Sequence, residues 1–278
     1  VDIGGADVST LNLTSSESVF MLLENSGGSL SSLKITAAGK FGILETLPQS
    51  ITDIDASGSV GEITFTTGAS DNEIIGSSGV NNITISGGNS RLVVGQSNDF
   101  IQVIGGSVFM TTNEGADHIA IINAINTGVE TGIGNDIVEV SSGVNYIDTG
   151  EDEDTIVLRN GKNTALSQAG HDNVTIQGGD NTIFTASGND RLTISGGTNS
   201  INTAGGGDNI SISGGINSIH SFLGSDTFNI TGGTNNLFTG LGNDTVTLSD
   251  GSSKINLGEG NDTLSVTSSV DLSTHVFD

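Results

Sequence analysis

Apolar residues return in this chain with two rhythms at once. From residue 132 to 266 they alternate with polar ones inside short runs, and the runs themselves recur every 18 residues without an insertion or deletion. Val138, Ile156, Val174, Leu192, Ile210, Phe228, Val246 and Leu264 form one column; Val140, Leu158, Ile176, Ile194, Ile212, Ile230, Leu248 and Val266 form a second. Half a repeat away lie Ile147, Ala165, Ile183, Ile201, Ile219, Leu237 and Ile255. A period of two predicts half-buried strands, and a fixed longer period predicts a solenoid whose coils pair as parallel strands about 4.8 Å apart. Every column then faces one narrow core.

Polar punctuation completes the repeat. Each coil divides into two nine-residue pieces, such as GLGNDTVTL from Gly240 and TGGTNNLFT from Thr231, and glycine at the third position marks a turn before the strand. Inward Thr149, Thr185, Thr203 and Thr239, with Ser167 and Ser221, predict a stacked hydroxyl ladder beside the apolar columns. Upstream the pattern continues with slips: Asp99 and Asp117 keep the 18-residue step, and one extra residue before Asp136 predicts a bulge or longer turn. Before residue 67 only strand-like phrases remain, around 11–14, 34–36 and 62–66, which predict larger coils of the same solenoid. The expected fold is all-β, a right-handed parallel β-roll or β-helix, with an irregular region over 1–66, regular coils over 67–266 and a tail over 267–278.

Composition narrows the chemistry. The 278 residues include 42 glycines, one proline, no cysteine and no tryptophan, so small and β-branched side chains rather than aromatics or disulfides must hold the interior. A formal charge of −25 argues against nucleic acid or an anionic membrane as partner and for cations. The longest apolar run, 19–23, is too short to cross a bilayer as a helix. The chain opens at Val1 with no signal segment in view, and is expected to be part of something longer.

The fifth position of the nine-residue pieces separates two columns completely. On one edge it is Asp136, Asp154, Asp172, Asp190, Asp208, Asp226, Asp244 and Asp262; on the other it is Asn145, Asn163, Asn181, Asn199, Asn217, Asn235 and then Ser253. A preference for turn-forming residues would mix the two types, since both bond the backbone nearby. Carboxylates stacked about 4.8 Å apart repel by about 3.5 kcal/mol per pair at an effective dielectric near 20, whereas stacked amides donate and accept along their own ladder. The acidic column therefore calls for cations. Calcium suits it, because it takes six to eight hard oxygen ligands from carboxylates and turn carbonyls, while four scattered histidines and no cysteine offer little to a transition metal.

The stretch Gly240-Leu241-Gly242-Asn243-Asp244-Thr245-Val246 resembles the hemolysin-type, or RTX, calcium-binding nonapeptide G-G-x-G-x-D-x-U-x, as does Gly258-Glu259-Gly260-Asn261-Asp262-Thr263-Leu264. Gly132 and Gly134 match ahead of Asp136; between these ends Gln168, Ala186, Ala204 and Phe222 replace the first glycine, and Asp152 replaces the second in its coil. The resemblance implies parallel β-rolls with calcium between adjacent coils, held by the Asp column and by carbonyls of the glycine turns. It extends to Asp99 and Asp117, and it makes this chain a one-sided variant, since the family usually carries aspartate on both edges. A looser phrase, 53–66, is similar to stretches of secreted bacterial surface and S-layer proteins. Together these imply a calcium-dependent structural or assembly segment of a cell-surface protein, secreted by a type I route and folding where calcium is abundant. Self-assembly or a cell-surface polysaccharide are the lateral partners left open.

The main alternative is a carbohydrate-binding or carbohydrate-active β-helix module. No nucleophile, paired acid and base or phosphate loop stands out, the seven Lys and Arg are scattered, and His118, His171, His220 and His275 share no coil position, so no enzyme is expected. Ice binding would need a flat threonine array, and the turn position occupied by Ile133, Glu151, Ala169, Ser187, Gly205, Leu223, Leu241 and Glu259 is not one. The acidic run 151–154 reads as a solvated turn, with an additional ion site as its alternative.

Overall fold

The computed structural model describes residues 8–24 and 28–267, together with the backbone of a short strand at 276–277. Two compact units, 1–137 and 138–278, divide the chain. Each is a parallel β-solenoid whose coils contribute one strand to each of two facing sheets, and no helix occurs among the described residues. Among them, accordingly, no helix is long and apolar enough to cross a membrane. Residues 267–278, expected as a tail, lie almost wholly outside the described residues, as does His275.

In the first unit the coils shrink along the chain. Ser31 bonds back to Ser9 over 22 residues, Ser32 to Asp53 over 21, and Arg91 to Glu73 over 18, which is the regular step thereafter. Larger coils at the start of the chain match the sequence expectation. The additional residue also lies where the spacing placed it: strand Phe100–Ile104 pairs with His118–Ile122 at the regular step, but Ser107–Thr111 pairs with Asn126–Glu130 one residue longer. The turn between takes up the excess, with Asn123 at φ 54°. Where a strand carries glycine the preceding coil covers it: the Phe109 ring lies over Gly128, and the Phe20 ring over Gly42.

In the second unit the register is unbroken. Strands Lys162–Leu166, Asp180–Phe184, Thr198–Asn202, Ile216–His220, Thr234–Phe238 and Ser252–Asn256 stack in order as one sheet. Strands Thr155–Leu158, Asn173–Ile176, Arg191–Ile194, Asn209–Ile212, Thr227–Ile230, Thr245–Leu248 and Thr263–Val266 stack as the other. Alternation drives the burial: along Arg191–Ile194 the pattern is exposed, buried, half-buried, buried. The three predicted apolar columns are buried to within 2% exposure through Ile255, whereas Leu264 and Val266 in the last coil are partly or largely exposed. Each buried aliphatic side chain contributes about 1.5–3 kcal/mol, and each coil rests only on its neighbours, so stability accumulates coil by coil.

Candidate calcium-binding column

From Asp190 to Asp262 the turn that leads into the Asp-bearing strand is built by two residues with positive φ, whereas the turn before Asp172 has one, Gln168. The third-position glycine is one: Gly188, Gly206, Gly224 and Gly242 lie at φ 145°, 133°, 140° and 144°. The first position is the other, and Gln168, Ala186, Ala204 and Phe222 hold φ 60°, 61°, 59° and 65° there without being glycine. The backbone thus keeps its turn through the middle coils, where the glycine pattern thins. Asp152, in place of the second glycine, does the same at φ 87°. Gly132, Gly134, Gly240, Gly242, Gly258 and Gly260 all have positive φ as well. A left-handed conformation costs a residue with a Cβ about 1–2 kcal/mol, against about 0.5–1 kcal/mol for the added freedom of glycine in the unfolded chain. Ala186→Gly and Ala204→Gly are accordingly expected to raise stability by up to about 1 kcal/mol each, measured by urea denaturation with calcium present; a loss in both would contradict this account of the turn.

These turns hold the Asp side chains inward. Asp99, Asp117, Asp136, Asp154, Asp172, Asp190, Asp208, Asp226 and Asp244 are all buried, and Asp262, in the last regular coil, is half-buried. Along the column, Oδ1 of one aspartate accepts the N–H of the residue one coil earlier. Asp154 donates to Asp172, Asp172 to Asp190, Asp190 to Asp208 and Asp226 to Asp244, each at 2.9 Å, and Asp208 donates to Asp226 at 2.8 Å. Asp244 closes the series on Asp262 at 2.9 Å. In the first unit Asn81 heads the same arrangement, giving its N–H to Asp99 at 2.7 Å and its Nδ2 at 3.1 Å, and Asp99 and Asp117 donate onward to Asp117 and Asp136. Asn81 was not foreseen, although its place 18 residues before Asp99 was the available signal.

The other carboxylate oxygen is the informative atom. Oδ2 of Asp99, Asp117, Asp172, Asp190, Asp208, Asp226 and Asp244 is buried and makes no hydrogen bond. Burial pushes the Asp99 carboxyl up to about 7 and those of Asp117 and Asp226 to about 6, with neighbouring aspartates adding to the rise. Asp172, Asp190 and Asp208 are raised for the same first reason. The hydroxyls of Ser167, Thr185, Thr203 and Ser221 oppose that rise at Asp172, Asp190, Asp208 and Asp226. Ser167, Thr185 and Thr203 do so short of hydrogen-bond geometry, since their oxygens remain without a partner. The inward hydroxyls therefore do not form the continuous ladder that the sequence suggested. Ser221 and Thr239 bond onward, to carbonyls of Thr239 and Leu257, whereas Ser167, Thr185 and Thr203 face the carboxylates across the coil.

The opposite edge is neutral. Asn145, Asn163, Asn181, Asn199 and Asn217 each donate from Nδ2 to Oδ1 of the asparagine one coil on, at 2.7–2.8 Å, and Asn235 ends the series on Ser253 at 3.3 Å. A second Nδ2 bond from each asparagine holds a turn carbonyl three residues back, as from Asn199 to Gly196 at 3.0 Å. An amide supplies both donor and acceptor; a carboxylate has no proton to give, which is why the aspartate edge leaves one oxygen over.

That donor set fits a hard cation. In the turns before these aspartates the carbonyls of Gln168, Ala186 and Ala204 are taken by the N–H groups of Ser187, Gly205 and Leu223. Among the described residues no three acidic or histidine side chains converge, so main-chain oxygens would have to complete any ligand set. Glu151, Asp152 and Glu153 are exposed while Asp154 turns inward, so the acidic run divides between solvent and the column. His171 accepts the Asn189 N–H, and His118 packs edge-on against Phe100.

The family model of the RTX calcium-binding nonapeptide repeat matches the chain in four copies, over residues 130–165 and 229–264. The chain thus carries RTX calcium-binding repeats, and the two matched stretches include the resemblance noted at Gly132–Asp136 and Gly240–Leu264. No curated protein matches the sequence.

Proposed function

We propose that the chain is a structural and assembly segment of an exported bacterial cell-surface protein, of S-layer or adhesin type, in which calcium drives folding and rigidity. The matched repeats are calcium-binding, and proteins that carry them are typically secreted by a type I route. One observation carries the reading: in coil after coil a carboxylate oxygen, as in Asp190 and Asp208, is buried without a hydrogen-bond partner. Such a column is costly as an uncompensated charge and becomes favourable when a cation neutralises it. On this reading Asp99, Asp117, Asp136, Asp154, Asp172, Asp190, Asp208, Asp226, Asp244 and Asp262 line the ion path, with turn carbonyls of the adjacent glycines. The role asks for no catalytic group. Isothermal titration of calcium into the chelated chain should give saturable binding of several ions per chain, with magnesium a poor substitute. Absence of calcium binding at millimolar concentration would sink the reading.

A further inference from the structure

The outer face of the asparagine-side sheet in the second unit carries a groove of about 930 Å³. Parallel pairing in register builds its floor, one residue per coil: Thr164, Thr182, Ser200, Ser218, Asn236 and Lys254. Two positions further along the same strands runs a second row containing Phe184, Asn202, His220 and Phe238. The rings of His220 and Phe238 stack at 4.6 Å with an interplanar angle of 7°, and Phe238 borders the groove. In a chain with 4% aromatic residues this row is a local concentration. The other sheet of the unit also presents outward polar rows, among them Thr175, Thr193 and Ser211, but these rows carry no aromatic ring among the described residues.

Two further features bear on what could lie there. Oδ1 of Asn202 and Oδ1 of Asn236 are buried without a hydrogen-bond partner, and turning either amide outward would offer a ligand an acceptor in its row. The charge is unlike that of the chain as a whole: against a formal −25, the groove is lined by one acid, Asp180, and by Lys162 and Lys254.

We infer that this groove binds a linear, uncharged polysaccharide running along the coil axis. The ligand has to be elongated, because the floor repeats once per coil. It has to offer hydroxyls along its edge, because hydroxyls and amides line the floor, and an apolar face, because the Phe238 ring borders it. It has to be uncharged. A polyanion would meet the repulsion of the whole chain, and a polycation would find better partners at the exposed acids of the aspartate-edge turns than beside two lysines. A second copy of the chain would want a continuous apolar patch, whereas the exposed apolar side chains here, Ile216 and Phe184, flank a polar row. A chain of neutral pyranose units meets each condition: its C–H faces pack on rings and its hydroxyls bridge Thr, Ser and Asn side chains.

Saturation-transfer NMR on the full chain in calcium tests this, with cellohexaose, maltohexaose, mannohexaose and chitohexaose as probes and an oligogalacturonate as the acidic comparison. Circular dichroism on each sample confirms that the coils are folded, so a negative result would bear on the groove and not on the calcium-dependent scaffold. Transfer to at least one neutral hexasaccharide is expected, reduced at least fivefold by Phe238→Ala, abolished by Ser218→Glu and unchanged by Ser211→Glu on the opposite sheet. No transfer to any of the four, transfer that survives Ser218→Glu, or a stronger response to the oligogalacturonate would overturn the inference. So would self-association that Ser218→Glu abolishes in the absence of glycan transfer, which would assign the face to a second copy.

Discussion

Chelating calcium at pH 7.5 is expected to lower the melting temperature of the Asp-bearing coils sharply, and acidifying the chelated protein to about pH 4.5 is expected to raise it again. Both effects come from one column. Carboxyls of Asp99, Asp117, Asp172, Asp190, Asp208 and Asp226 have folded-state pKa values raised chiefly by burial, up to about 7 for Asp99 and about 6 for Asp117 and Asp226. A group that holds its proton more tightly when folded favours the fold below its ordinary pKa of 3.8, and that contribution is lost as pH rises through the folded value. Stability without calcium should therefore fall from about pH 4 to about pH 7, each carboxyl contributing about 1.4 kcal/mol for every tenfold by which folding tightens its hold on the proton. The groups that face the column do not reverse this sign: they are the hydroxyls, the backbone N–H groups, the Asn81 amide at Asp99 and the neighbouring aspartates, with His171 lowering Asp172 and Asp190 and Glu153 raising Asp172. With calcium the slope should invert, because the ion requires deprotonated ligands.

Acidification also relieves the general repulsion of a chain with a pI near 4.1, so the column needs its own test. Asp190→Asn and Asp208→Asn supply it. Each keeps an acceptor for the N–H one coil earlier and removes a buried charge. Melting temperature should therefore rise in chelator at pH 7.5 and fall in calcium, two shifts of opposite sign from one substitution. A chelated protein that melts at the same temperature at pH 4.5 and pH 7.5 would contradict the account, and so would asparagine variants that shift the same way in both conditions.

What could be read from the sequence was what the period fixes. Parallel strands, inward apolar columns and the segregation of aspartate from asparagine follow from side-chain alternation and an 18-residue step, and the asparagine ladder forms as stacked amides predict. Conformation at single positions was less visible. Ala204 and Phe222 break the glycine pattern in the sequence, yet they hold the left-handed backbone of Gly240 because coils on either side over-determine the turn. The direction of the carboxylates was hidden as well: repulsion along the column was legible, but not that Oδ1 of Asp208 takes a backbone N–H and leaves Oδ2 over. The groove escaped notice because its residues lie on outward positions, where Thr182, Ser200 and Phe238 look like ordinary surface until pairing places them in rows.

Three consecutive glycines, Gly205, Gly206 and Gly207, allow the turn to be tested one position at a time, and only the middle one should be indispensable. A Cβ on Gly205 would come no closer than 3.7 Å to its neighbours, and one on Gly207 would stand 3.2 Å from the Ser225 carbonyl oxygen. On Gly206 it would fall 1.5 Å from the carbonyl oxygen of Gly188, with φ at 133°, so packing and backbone both forbid it. Backbone on one side and a required positive φ on the other leave nothing flexible to yield. Gly205→Ala should change stability by less than about 1 kcal/mol, or raise it through the stiffer unfolded chain. Gly207→Ala should cost about 1 kcal/mol, as the neighbouring carbonyl shifts. Gly206→Ala should cost more than about 4 kcal/mol. In a solenoid that loss is local before it is global, because each coil contacts only its neighbours. Hydrogen exchange in calcium should therefore show protection lost first in strands Arg191–Ile194, Asn209–Ile212 and Thr227–Ile230, with strands more distant along the unit still protected. Equal effects from all three alanines would mean that the tight stacking of Gly188 on Gly206 does not set the spacing of the coils.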